Sequence, residues 1–315
     1  MMAYGRAFER EGARSGLRRV WQRCLRIYVV QVGLLLTTLV LVHLCRQQFG
    51  QEAADLAPFF TQPWRALSHA LALHALPPSL NILPLYIVLL GAFPLIYAGV
   101  RYAPWVAVPL SGILWLAANF DHALNLTNWL DGQGWFFNPF AWQFLFVIGV
   151  LGAATLRTHD GELPHWRPLT VASWLYLGIS LLLAAPWTAW GLPDLRLASF
   201  DPPDKTALAP VRLLDILAIM YLALGSPRLR RFAQHAWAMP LVACGKHSLE
   251  VFALGTLAAL VFRLLFHDFG PVWPLQVLVN VVGVGVMVAL ALWLEHNRDA
   301  SGHRLGKPVE SGGVT

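Results

Sequence analysis

The stretch VWPLQVLVNVVGVGVMVALALWL, Val272–Leu294, has 23 residues and not one charged side chain. A helix needs about 17–25 mostly apolar residues to cross the hydrocarbon core of a bilayer. Seven further runs of this kind precede it: Ile27–Leu44, Leu80–Val100, Ala103–Phe120, Pro139–Leu156, Leu169–Trp190, Ala207–Leu224 and Ser248–Phe266. In lipid the backbone must satisfy its own hydrogen bonds, so each run is expected to be a helix. The short alternating segments of an outer-membrane barrel are absent. The expected fold is all-α: a polytopic helical integral membrane protein with about eight transmembrane helices, residues 1–315 forming one transmembrane domain.

Composition agrees. Hydrophobic residues make up 57% of the chain and charged ones 13%, with a mean hydropathy of +0.54. Soluble domains carry about 25% charged residues. A soluble enzyme, a chain disordered throughout and a disulfide-stapled secreted domain are therefore excluded.

The formal net charge of +6 matters less than where the charges lie. Residues 1–26 hold Arg6, Arg10, Arg14, Arg18, Arg19, Arg23 and Arg26 against Glu9 and Glu11. The positive-inside rule makes this basic end cytoplasmic. Alternation then places Arg101, Arg157 with Arg167, Arg228 with Arg230 and Arg231, and a disordered tail over residues 295–315 on the same side. Both termini are expected on the cytoplasmic side of the membrane. The basic patch reads as topology and contact with membrane lipids rather than nucleic-acid binding. On a helix Arg19, Arg23 and Arg26 share a face, which suits lipid headgroups or coenzyme A phosphates.

Cys24, Cys45 and Cys244 form no Cys-x-x-Cys and no same-side outer pair, so neither a disulfide nor a zinc site is expected. Between the first two spans, Thr61-Gln62-Pro63 starts a helix. Trp64, Leu67 and Leu71 give that helix an apolar stripe for the outer leaflet. His69 and His74, five apart, read as interfacial residues rather than metal ligands.

A polar residue inside a span is costly and usually faces a cavity or a partner. Trp135 through Gln143 combines an aromatic belt with Asn138-Pro139, an N-cap and N1 pair. Gln143, one turn further in, needs a hydrogen-bond partner, and the rings suit stacking on a sugar. Lys205 and Arg212, with Asp215, read either as a structural ion pair or as a cationic outer mouth for a carboxylate or phosphate. Near the cytoplasmic face, His247 and Glu250 are three apart, so a general base with an orienting carboxylate is one reading and a packing cluster the other. Asp121-His122 reads as an interface feature. There is no Walker loop, dinucleotide fingerprint, HExxH or Gly-x-Ser-x-Gly.

Asn81-Ile82-Leu83-Pro84-Leu85-Tyr86, the Trp135–Gln143 run, Asp204-Lys205-Thr206 through Arg212-Leu213-Leu214, and Cys244 through Phe252 together resemble the OpgC family, in order and spacing over essentially the whole chain. The resemblance implies a membrane O-acyltransferase that moves succinyl from succinyl-CoA, a co-substrate rather than a bound cofactor, to hydroxyls of a periplasmic glucan acceptor. On that implication Lys205, Arg212, Trp135, Asn138 and Gln143 bind substrate, and His247 and Glu250 are catalytic candidates. Family members usually open with two more helices, ten in all, the first carrying the Asp-His pair usually held catalytic. Tyr4-Gly5-Arg6 resembles the sequence just after that second helix, so the chain reads as a C-terminal eight-helix body without the family's base, and its activity is open. Two other readings also remain open: a transporter or flippase for a glycan or lipid intermediate, and a non-catalytic membrane partner in glucan synthesis.

Overall fold

The computed structural model describes residues 13–45, 49, 54–158, 166–185, 187, 191, 193, 204–270 and 272–305. Arg6, Arg10, Glu9, Glu11 and the Tyr4-Gly5-Arg6 resemblance lie outside the described residues, as does the end of the expected tail over 306–315. Among the described residues the structure is helical, apart from one isolated β-bridge between Thr127 and Gly134.

In chain order the α-helices are α1 (Ala13–Leu44), α2 (Ala57–Thr61), α3 (Pro63–Leu71), α4 (Ile82–Gly91), α5 (Phe93–Tyr102), α6 (Pro104–Phe120) and α7 (Pro139–Thr158). They continue with α8 (Arg167–Ala184), α9 (Pro210–Leu224), α10 (Pro227–Ala233), α11 (Met239–Lys246), α12 (Ser248–Phe269) and α13 (Trp273–Leu305). Proline sits in the first turn of α3, α5, α6, α8, α9 and α11. Its missing N–H costs nothing there, and its fixed φ favours the helix.

Among the described residues each of the eight apolar runs is mostly helical, but not every run is one straight span. Among the described residues α1, α7, α8, α12 and α13 are long and apolar enough to cross a membrane. The run Leu80–Val100 breaks at Ala92, where the axis bends by 47° into α5. Gly91 and Pro94 flank the break: one lacks a Cβ, the other has no N–H to continue the ladder. α6 is shorter, at 17 residues, and α9 bends by 75° into α10. The run Ala207–Leu224 becomes helical only at Pro210, because Asp204–Ala209 is a turn. α13 continues past Leu294 to Leu305.

The chain divides into two compact units, Met1–Leu35 with Ala54–Leu229, and Leu36–Ala53 with Arg230–Thr315. In the first, α7 packs on α6, α5 and α4, and α8 packs on α9. One buried cluster joins Ala118 of α6, Ala141 of α7, the turn residues Ala207 and Leu208, and Leu213 of α9, with Trp115 and Phe144 packed against it. The alanines let helix backbones approach closely where apolar burial gives no extra drive. Trp105, Leu110, Ile113 and Trp174 instead point outward and are exposed, as lipid-facing side chains are. α3 buries Ala66 and Ala70 while Trp64 stays 84% exposed. In the second unit α13 packs on α11 and α12, burying Leu249, Leu260, Val279 and Ala291.

Candidate functional site

Four asparagines within 20 residues build the polar part of the first unit: Asn119, Asn125, Asn128 and Asn138. The connection from α6 to α7 folds back as a short hairpin. Trp135 donates its backbone N–H to Leu126 (2.7 Å) and Asn128 donates to Gln133 (2.7 Å). Gly132 supplies φ +69° at the turn, a conformation glycine adopts without strain. At Gly134 a Cβ would lie 2.4 Å from the Asn125 side-chain nitrogen, which donates to the Trp135 carbonyl (2.9 Å).

The hairpin is pinned from three directions. Asn128 grips Leu76 at both ends: its Oδ1 accepts from the Leu76 amide (2.9 Å) and its Nδ2 donates to the Leu76 carbonyl (3.1 Å). The Trp129 ring stacks on His69 at 4.7 Å, with the Arg65 guanidinium carbon 5.7 Å from the ring centre. Asn138, 2% exposed, caps α7 by accepting from Phe140 N–H (3.0 Å) and donates Nδ2–H to Leu124 (2.7 Å). Its own backbone N–H donates to Thr206 (3.0 Å), joining the hairpin to the 204–209 turn.

That turn is held by side chains that bond its carbonyls. Asn119 donates to Ala207 (2.8 Å), Trp115 to Leu208 (3.0 Å) and Trp142 to Lys205 (3.2 Å). Leu208 is fully buried at φ +50°, a strained backbone that its apolar surroundings hold in place. Asp204 closes the turn, accepting from Thr206 N–H (2.8 Å) and Ala207 N–H (3.2 Å). Burial raises its pKa, but these two amides, the Thr206 hydroxyl and nearby His122 outweigh that and hold it below the usual carboxylate range. A lowered pKa stabilises the fold above the unfolded value, near pH 4, and that contribution is lost as pH falls through the folded one. Asp204 is exposed and water screens part of this, so Asp204→Asn should cost no more than about 0.5 kcal/mol at neutral pH. The gap to wild type should close below about pH 4 in detergent-solubilised unfolding titrations.

Between hairpin, turn and the Leu76–Asn81 segment lies a cavity of ≈ 390 Å³, within the range of about 300–1,000 Å³ usual for ligand pockets. Asn81, His122, Asn125, Asn128, Asp131, Trp135, Asn138 and Thr206 contribute to its wall, and among the described residues neither Lys nor Arg does. Such amides and rings suit a hydroxyl-rich ligand better than an anion.

Of the expected substrate residues, Trp135 and Asn138 line this cavity. Gln143 does not: its Oε1 accepts from the Ser111 hydroxyl (2.6 Å) and its Nε2 donates to the Ser111 carbonyl (2.9 Å), bracing α7 against α6. Lys205 is exposed beside the cavity, contributing a carbonyl to Trp142. Arg212 and Asp215 lie on α9, away from the cavity wall, near Tyr176, whose hydroxyl donates to Val211 (2.7 Å). His122 and Asn81 do line it. The spaced asparagines with Gly132 and Gly134 were the available signal for this site.

In the second unit His247 sits at the junction of α11 and α12. Its Nε2 lies 3.0 Å from Glu295 Oε2, and Lys246 bonds the other oxygen of the same carboxylate. A carboxylate that orients His247 thus comes from α13, 48 positions along the chain. Glu250 occupies the first turn of α12, where a negative charge complements the helix dipole. With Nε2–H directed at Glu295, the ring's Nδ1 carries the lone pair that could accept a proton. Among the described residues no group of three or more His, Cys, Asp or Glu is placed to hold a metal ion.

A family model described as OpgC protein matches residues 1–299. No curated protein and no solved structure matches the chain.

Proposed function

We propose a function from the premise that this chain belongs to the OpgC family: it is a membrane O-acyltransferase that moves succinyl from succinyl-CoA to hydroxyls of a periplasmic glucan. The observation that carries this reading is a cavity rich in amides with, among the described residues, no Lys or Arg on its wall, beside helices that suit a membrane. A sugar chain offers hydroxyls for the exposed side chains of His122, Asp131 and Gln133 to bond and a ring face for Phe136 to pack against.

The basic start of the chain makes the N-terminal side cytoplasmic, and eight crossings then return the C-terminus to it. On this topology the cavity opens to the periplasm of a bacterial inner-membrane protein. Trp135 and Asn138 bind acceptor, Lys205 and Arg212 attract the succinyl carboxylate, and Gln143 keeps the acceptor path in shape through Ser111. Coenzyme A approaches from the cytoplasm, where Lys246 offers positive charge to its phosphates. In the transfer the acceptor oxygen bonds to the thioester carbon, the carbon–sulfur bond breaks, and the hydroxyl proton leaves to a base. His247, with Glu295 orienting its ring and Glu250 close in sequence, is the donor-side candidate for proton handling.

Membrane vesicles containing the chain, given labelled succinyl-CoA and periplasmic glucan, are expected to place label on the glucan. Glycan or lipid movement without label transfer would instead identify a transporter or flippase. Unlabelled glucan in vesicles, with succinylation in cells still dependent on the chain, would identify a non-catalytic partner.

A further inference from the structure

Buried polar atoms nearly always find a hydrogen-bond partner. Two side-chain atoms of residues lining the hairpin cavity do not: Trp135 Nε1 and Asn81 Oδ1 are both buried and make no hydrogen bond. Trp135 is 3% exposed and Asn81 7%. Everything else polar in these two side chains is used, since Asn81 Nδ2 donates to the Pro78 carbonyl (3.1 Å). The indole can only donate, and the remaining amide oxygen can only accept.

We propose that these two atoms are a hydroxyl-reading pair, which holds one neutral sugar unit in the cavity. A sugar hydroxyl accepts from Trp135 Nε1–H, and the same hydroxyl or its ring neighbour donates to Asn81 Oδ1. A phosphate or carboxylate could use the indole but would meet the amide oxygen with a second acceptor, and among the described residues no Lys or Arg lines the wall to neutralise it. Asn81 thereby becomes a specificity residue for the acceptor, a role that rests on the glucan reading above.

The test uses the whole chain in detergent, a short neutral β-glucan oligosaccharide as probe, and a set of monodeoxy methyl glucosides. Trp135→Phe keeps the ring and the backbone bonds to Leu126 and Asn125 but removes the donor. It should weaken oligosaccharide binding about tenfold to a hundredfold, the range for one buried hydrogen bond left unmade. One monodeoxy glucoside should bind wild type and Trp135→Phe equally, because its missing hydroxyl is the one the indole reads. Asn81→Asp retains the acceptor and tests whether the fold tolerates change there. Equal binding of the oligosaccharide to wild type and Trp135→Phe, no sugar binding by wild type, or displacement of the sugar by inorganic phosphate would overturn the proposal. Label transfer in the vesicle assay decides the acyltransferase reading separately. Sugar binding lost in Trp135→Phe without any label transfer would leave the pair standing and remove the enzyme.

Discussion

Asn138→Leu is expected to cost about 2–4 kcal/mol of stability, since two buried backbone groups lose their partners at about 1–3 kcal/mol each. The groups are the Phe140 N–H and the Leu124 carbonyl, bonded now at 3.0 and 2.7 Å. Leucine has the same branched shape and number of heavy atoms as a side chain that is 2% exposed, so the substitution leaves no void. Loss of the N-cap alone is worth roughly 0.5–2 kcal/mol. Asn138→Asp separates the two bonds, keeping the acceptor for Phe140 while turning an oxygen toward the Leu124 carbonyl. That oxygen repels until the carboxyl is protonated, so the stability of this variant should rise as pH falls. Denaturant unfolding of the detergent-solubilised chain reads both effects. A loss below about 1 kcal/mol for Asn138→Leu, less than one unmade buried bond, would mean the hairpin and the 204–209 turn do not depend on this residue.

His247→Ala should reduce acyl transfer about a hundredfold or more, the lower end of what a positioned general base contributes, while the protein still inserts and binds coenzyme A. Glu295→Gln should cost less, because the amide oxygen can still accept from the ring and hold it. Lys246→Met separates attraction from chemistry: KM for succinyl-CoA should rise with kcat little changed. Steady-state kinetics on reconstituted protein distinguish the three. Unchanged kcat in His247→Ala would remove the donor-side role and leave His247 as a structural junction between α11 and α12.

Much of the fold is legible in the chain because lipid imposes one-dimensional rules. A run such as Val272–Leu294 has few alternatives to a helix, and Pro139 or Pro210 marks where one begins. The break at Ala92 is less visible, since Gly91 and Pro94 are each tolerated inside membrane helices when neighbours compensate. The candidate site is only half legible. Trp135 and Asn138 announce themselves as polar and aromatic residues at a helix start. Gln143 shows that it needs a partner, but its nature as a brace depends on Ser111, 32 positions earlier on another helix. Glu295 looks like the first charge after the last span, and its pairing with His247 exists only once α13 lies against α11. Local spacing favoured Glu250, because three residues apart on a helix is the one proximity a linear chain displays.

The turn at 204–209 has a consequence for how this protein can change over generations. Asn119, Trp115 and Trp142 recognise the carbonyls of Ala207, Leu208 and Lys205, groups that every amino acid possesses. The path of the turn is thus written in residues belonging to other segments, and Lys205 can be exchanged with little effect on that path. Inheritance of shape and inheritance of chemistry are separated at the rim of the cavity. A lineage can retune what its members attract there by altering one outward-facing side chain, while the scaffold beneath stays under independent selection.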